Sequence, residues 1–154
     1  MGAPELPLPE EVVPHAGAMV FPTRVLAHDR ARTVCAVAID RQSLFVESDG
    51  GVPAWVGIEY MAQCIAAHAG LVARADGNEP RIGFLLGSRR VVFHCDRFEP
   101  GTILRASAER TWGGEDGMVS FECQLEDSHS GALLAEARLN CYLPPEGEGL
   151  GGID

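Results

Sequence analysis

The chain has 154 residues, 46% of them apolar, enough for a single domain with a real core. A formal net charge of -10, with only 12 Lys and Arg, excludes the basic footprint of a nucleic-acid binder and opposes an anionic membrane surface. Five cysteines (Cys35, Cys64, Cys95, Cys123, Cys141) lie in apolar runs without a CxxC. That pattern fits small buried hydrophobes in a reducing cytoplasm and argues against a disulfide framework or a zinc site.

Residues 1–12 are rich in proline and acidic side chains, with neither a basic segment nor an apolar leader, and are expected to form an extended lead-in to a domain spanning 13–143. Runs from Met19 to Ala27 and from Thr33 to Ile39 flank the polar connection HDRAR and predict a hairpin, with Pro22 marking an edge or a bulge. Trp55 to about Ala75 is the one strong helix candidate, opened by Pro53 and closed by Asp76-Gly77-Asn78. Its apolar positions surround nearly the whole circumference, which predicts burial on most sides. Glu59, Gln63, His68 and Arg74 interrupt the run, so it does not read as a membrane span.

Arg81 to Cys95 reads as one long strand bent at Gly87-Ser88. Three alternating runs follow, with Leu104-Ala106-Ala108, Val119-Phe121-Cys123-Leu125 and Leu133-Ala135-Ala137-Leu139-Cys141-Leu143 on their apolar faces. Turn signals at Gly113 to Gly117 and Asp127 to Gly131 join them into a meander. The Gly-rich acidic tail, 144–154, is expected to be flexible. One helix wrapped by a strongly curved antiparallel sheet is an α+β plan, the layout of the hotdog fold.

Glu59 is the carboxyl of interest because it stands near the start of an otherwise apolar helix. Burial there raises a carboxyl's pKa, whereas the positive end of the helix dipole lowers it, so its protonation state is open at this stage. Such a group can protonate a leaving hydroxyl or activate water, while N–H groups at Trp55, Val56 and Gly57 polarise a thioester carbonyl. Alternatively Glu59 caps the helix start or pairs with Gln63 one turn on.

PAWVGIEYMAQ (Pro53 to Gln63) resembles the segment that opens the central helix of hotdog β-hydroxyacyl-acyl-carrier-protein dehydratases, with Glu59 on the acidic catalytic position. VPHAGAMVFPTRV (Val13 to Val25) and GFLLGSRRVVFHCDRFEPG (Gly83 to Gly101) resemble the first-strand and post-helix elements of the same enzymes, and the ApeP-type branch, associated with aryl polyene assembly, is the nearest in kind. The resemblance implies an acyl-carrier-protein-linked or coenzyme-A-linked acyl substrate. It implies no metal or redox cofactor, and a homo- or heterodimer with another hotdog subunit.

The family's catalytic histidine sits in a loop before the helix, but SLFVESDGGVPAW (Ser43 to Trp55) contains none, and the family interval lands near Phe45. His15 is the candidate substitute base, or else a residue that hydrogen-bonds backbone before the first strand. Gln63 is a candidate to orient Glu59. Arg89 is a candidate for a phosphate or an acidic carrier protein, on the expectation that Arg89 and Arg90 face opposite sides of their strand. Trp55, Met61 and Phe84 are candidates to shape an acyl pocket or are plain core. Two further functions remain open: a catalytically reduced partner of a more complete dehydratase, and a thioesterase in which Glu59 activates water.

Overall fold

The computed structural model describes residues 5–15, 17–79 and 83–144. The one long helix among the described residues, α1 (Gly57–Ala75), is entered through a 3-10 turn at Ala54–Val56, so helical structure begins where the sequence indicates. It ends in a Schellman motif. Asn78 N–H donates to the Ala73 carbonyl at 2.8 Å and Gly77 N–H to Arg74 at 3.1 Å, with Gly77 at φ 76°, a conformation open to glycine. Asp76 beside this end also takes a two-pronged contact from Arg30, at 3.0 and 3.2 Å, tying the first hairpin turn to the helix.

Around α1 curls a six-stranded antiparallel sheet of β1 (Arg24–His28), β2 (Arg32–Ala38), β4 (Phe84–Phe93), β6 (Ile103–Gly113), β7 (Met118–Asp127) and β8 (Leu133–Tyr142), in the order β1-β2-β6-β7-β8-β4. Two short strands, β3 (Val52–Pro53) and β5 (Arg97–Phe98), pair separately beside the helix start. The predicted alternation holds on the concave face. Leu104, Ala106, Ala108, Phe121, Cys123, Leu125, Ala135 and Leu139 are fully buried against Met61, Cys64 and Ala67 of the helix. Small residues on the central strands let the helix lie close, and the Cys64 thiol donates to the Thr33 and Ala106 carbonyls. All five cysteines are free. This is the hotdog architecture, and α1, apolar and long enough to cross a bilayer by length and composition, is its core helix.

Some expectations change and others are refined. The first strand begins at Arg24 instead of Met19, because Gly17–Met19 forms a 3-10 turn, Pro22 has no N–H, and the Met19 carbonyl and Phe21 amide are bonded to a helix side chain. The described part of the lead-in contains a 3-10 turn at Pro9–Glu11, and Val12 is buried in the core. Burial of the helix on most sides holds, with one exception the sequence did not locate: Ile58, Glu59, Ala62, Ala66, Ala69 and Val72 form a partly exposed stripe that the concave sheet does not reach. Finally, the irregularity expected in β4 at Gly87-Ser88 is present, as register shifts at Leu85/Gly87 and Ser88/Arg90, but it overturns the expectation that Arg89 and Arg90 face opposite sides. The second shift breaks the two-residue period, and Arg89 and Arg90 line one hollow together with Glu122, Glu136 and Arg138. Residues 81 and 82 of the predicted strand, and 145–154 of the tail, lie outside the described residues.

Candidate active site at the start of the central helix

Glu59 occupies the first turn of α1. Gln63, one turn further along, is fully buried, and a buried amide must satisfy both its ends. Its Nε2 donates to the Met19 carbonyl at 2.7 Å and to Glu59 Oε1 at 3.2 Å, while its Oε1 accepts from the Phe21 amide at 2.8 Å. The side chain thus fastens the segment leading into β1 onto the helix and fixes one carboxylate oxygen of Glu59. Gln63→Leu strands the Met19 carbonyl and Phe21 amide, and an expected loss of about 2 kcal/mol is measurable by urea unfolding.

The fastened segment carries His15 to the same oxygen, with Nε2 3.5 Å from Glu59 Oε1. His15 Nδ1 is buried with no hydrogen-bond partner among the described residues. The pair is partly open to solvent, 29% of the His15 side chain and 42% of the Glu59 side chain being exposed. A carboxyl and an imidazole side by side, both reachable, form a proton donor and acceptor set for one substrate.

From this pair a groove of about 650 Å³ runs along the half-exposed stripe of the helix. Its walls are Ala62, Ile65, Ala66 and Ala69 on one side, with Phe84 and Leu85 of β4 and Cys141 and Leu143 at the end of β8 on the other. Glu59 to Ala69 spans ten residues, about 15 Å of helix. An apolar groove with two polar groups in its lining suits a molecule with a reactive head and an aliphatic tail.

A family model described as ApeP-like, ApeP dehydratase, matches residues 7–150. The chain belongs to the ApeP-like dehydratase family. It is similar to a chain of the dehydratase heterocomplex ApeI:P from Xenorhabdus doucetiae, with 28% identity and a TM-score of 0.85 over 97% of this chain and 99% of that one. Likeness to two others shows the fold alone. The E. coli PaaI protein from the phenylacetic acid degradation operon is 11% identical, at a TM-score of 0.60 over 77% of this chain and 80% of that one. A hypothetical thioesterase with coenzyme A from Streptococcus pneumoniae is 10% identical, at 0.61 over 78% and 84%. A comparison with curated proteins gives no match.

Within this ApeP-like chain the anticipated residues separate into two groups. His15, Glu59 and Gln63 come together. Trp55 does not line the groove; it is 58% exposed and meets Phe45 edge-on at 5.6 Å. Val56 and Met61 are core, whereas Phe84 lines the groove. Gly57 is buried where a Cβ would stand 2.8 Å from Leu125 and 3.0 Å from Phe98, so its role is close packing of the helix start. Its amide already donates to the Ala54 carbonyl, which removes it from the set expected to polarise a thioester. Arg89 lies away from the groove, in a hollow with Trp112, Ser120 and Arg138. Glu59, expected to be desolvated, is half-open because the stripe it stands on is uncovered.

The alanine stripe was missed as a groove wall. Its signal was present, since small residues at positions 62, 66 and 69 share one helix face. Phe45, near the family's histidine position, adopts φ 64°, a left-handed conformation rare for a bulky side chain.

Proposed function

We propose that this ApeP-like protein removes water from β-hydroxyacyl thioesters linked to an acyl carrier protein, in biosynthesis of the fatty-acid or aryl polyene kind. The observation that carries the reading is the His15–Glu59 pair at 3.5 Å, both residues lining the apolar groove. His15 Nε2 takes the α-proton, and the electrons of that C–H bond form the α,β double bond. The β-carbon–oxygen bond breaks with its electron pair on the hydroxyl, which accepts a proton from Glu59 and leaves as water. The two side chains are close enough for the proton to return from His15 to Glu59. The positive end of α1 faces the charge that develops on the thioester oxygen, and the acyl tail lies along Ala62, Ala66 and Ala69.

The test is incubation of the purified chain with hydroxyacyl carrier proteins of graded length. Enoyl thioester is the expected product; free acid identifies a hydrolase instead, with Glu59 activating water. Coenzyme A thioesters tried in parallel decide the carrier.

A second reading has its own support in the likeness to a chain of a heterocomplex and in Phe45 standing near the loop histidine's place. In it the chain is a catalytically reduced subunit that pairs with a more complete hotdog dehydratase. The edge strand β4, exposed along most of its length, Leu86 included, is the side we assign to that partner. In this arrangement the isolated chain turns over slowly, and an added ApeI-type subunit raises the rate. Full turnover alone, unchanged by the partner, rules the support role out. The free cysteines, four of them buried, fit a cytoplasmic setting.

A further inference from the structure

Gly70 stands in the interior of α1, where glycine is the least favourable residue apart from proline. It is there for space. A Cβ at position 70 would lie 2.1 Å from the carbonyl oxygen of Val12, 3.0 Å from its carbonyl carbon and 3.1 Å from its Cβ. The main chain of Val12 therefore crosses the helix directly over Gly70, closer than any side chain permits. The obstructed atom is backbone, so no rotamer change relieves the contact.

The crossing has a consequence at Glu59. Gly70 and Glu59 are eleven residues apart, close to three full turns, and share one side of the helix. From Val12 the chain runs to His15, which meets Glu59, and then to Met19 and Phe21, which Gln63 holds at 2.7 and 2.8 Å. The described residues of this segment, 12–15 and 17–21, thus form a strap laid along the helix and pinned at both ends. At one end the pin is a buried amide. At the other it is an absent side chain, helped by Val12 itself, which is 1% exposed.

We propose that Gly70 is a positioning residue: by admitting the Val12 backbone onto the helix it sets the height of the strap and so holds His15 Nε2 against Glu59. The inference rests on the His15–Glu59 reading of the site. Gly70 itself touches neither the groove nor the reacting groups.

The experiment uses Gly70→Ala and Glu59→Gln, singly and together, in the full chain and in its complex if one forms. The first readout needs no substrate: the rate at which diethyl pyrocarbonate modifies His15, followed by peptide mass spectrometry. Glu59→Gln removes the carboxylate that engages Nε2 and is expected to raise that rate. Gly70→Ala is expected to raise it as well, and the double variant no further than the single ones, because both remove one contact. An unchanged rate in Gly70→Ala, or additive effects, overturns the proposal.

The second readout is turnover, where Gly70→Ala is expected to lower kcat by about 10²-fold, as a catalytic group displaced by about 1 Å does, with KM little changed. Ala67→Gly weakens the same helix without approaching Val12 and is expected to leave both readouts as in the wild type. If Gly70→Ala does not fold, Val12→Ala loosens the same seat from the strap side and must show the same non-additivity with Glu59→Gln. A wild type that forms no enoyl product but shows the non-additive pattern sinks the dehydratase reading and leaves the seat standing.

Discussion

Glu59→Gln is expected to lower the rate of enoyl product formation by about 10²–10⁴-fold, the usual contribution of a positioned proton donor. The substitution keeps the shape of the side chain and an oxygen for Gln63 Nε2, which bonds Glu59 at 3.2 Å, so the strap and the thermal midpoint are expected to stay as they are. What disappears is the proton delivered to the leaving hydroxyl. The loss should fall on kcat, because the acyl tail still meets Ala62, Ala66 and Ala69. His15→Gln removes the other half of the pair and is expected to lose a similar factor. Combining the two should cost little more than either, since groups that act on one proton path fail as a unit. Stopped assays of hydroxyacyl and enoyl carrier protein by mass spectrometry measure all three variants. Undiminished dehydration by Glu59→Gln would remove the carboxyl from the chemistry.

The second large effect is on stability and lies on the opposite side of the helix. His68 is 2% exposed, and its Nδ1 meets Thr33 Oγ1 at 2.8 Å; His28 Nδ1 meets the same hydroxyl at 2.7 Å. A hydroxyl has one hydrogen, so at most one ring accepts from Thr33 and at least one donates to it. His68 Nε2 is buried without a partner among the described residues, against the ring of Phe121. Burial above all, with His28 and Arg110 adding repulsion and Asp29 opposing them, holds His68 down at about 4 from the ordinary 6.5. Burial likewise lowers His28.

In the unfolded chain these rings take up protons near their ordinary values. The unfolded state therefore binds more protons in the window between about 6.5 and about 4, and stability falls as pH drops through it. The ceiling from His68 is about 3 kcal/mol, with full stability above the window. Urea midpoints from pH 8 to pH 4 measure the fall. His68→Leu leaves Thr33 bonded to His28 and is expected to flatten the curve; an equally steep curve in that variant rules His68 out as the acid-sensitive group.

Periodicity carried most of the fold. The alternating runs that became β6, β7 and β8 present buried residues where period two placed them, with Leu133 and Leu143 at the two ends of the last run only partly buried, because one wet face and one dry face impose that repeat on any half-buried strand. The helix boundaries were legible for a similar reason, since proline before and glycine after it are backbone constraints that act locally. Glu59 stood out as a carboxyl among apolar neighbours, and Gln63 as its neighbour one turn on.

Tertiary structure decided what depends on how far one element reaches over another. No local rule says that the sheet stops short of one helix stripe, and that gap turns Ala62, Ala66 and Ala69 into a groove wall and leaves Glu59 half-open. A shift in the pairing of β4 with β8 put Arg89 and Arg90 in one hollow, which alternation alone forbids. Met19 to Phe21 lack the ladder that would have made them part of the first strand, because the Met19 carbonyl and Phe21 amide are spent on Gln63, forty residues or more away in sequence. The sequence by itself determined the architecture and the family, each written in short-range patterns of residue type, and singled out Glu59 as the carboxyl to test. Only the folded chain brought His15 to that carboxyl, since the contact spans 44 positions and depends on a backbone crossing at a glycine whose purpose appears when Val12 is lying on it.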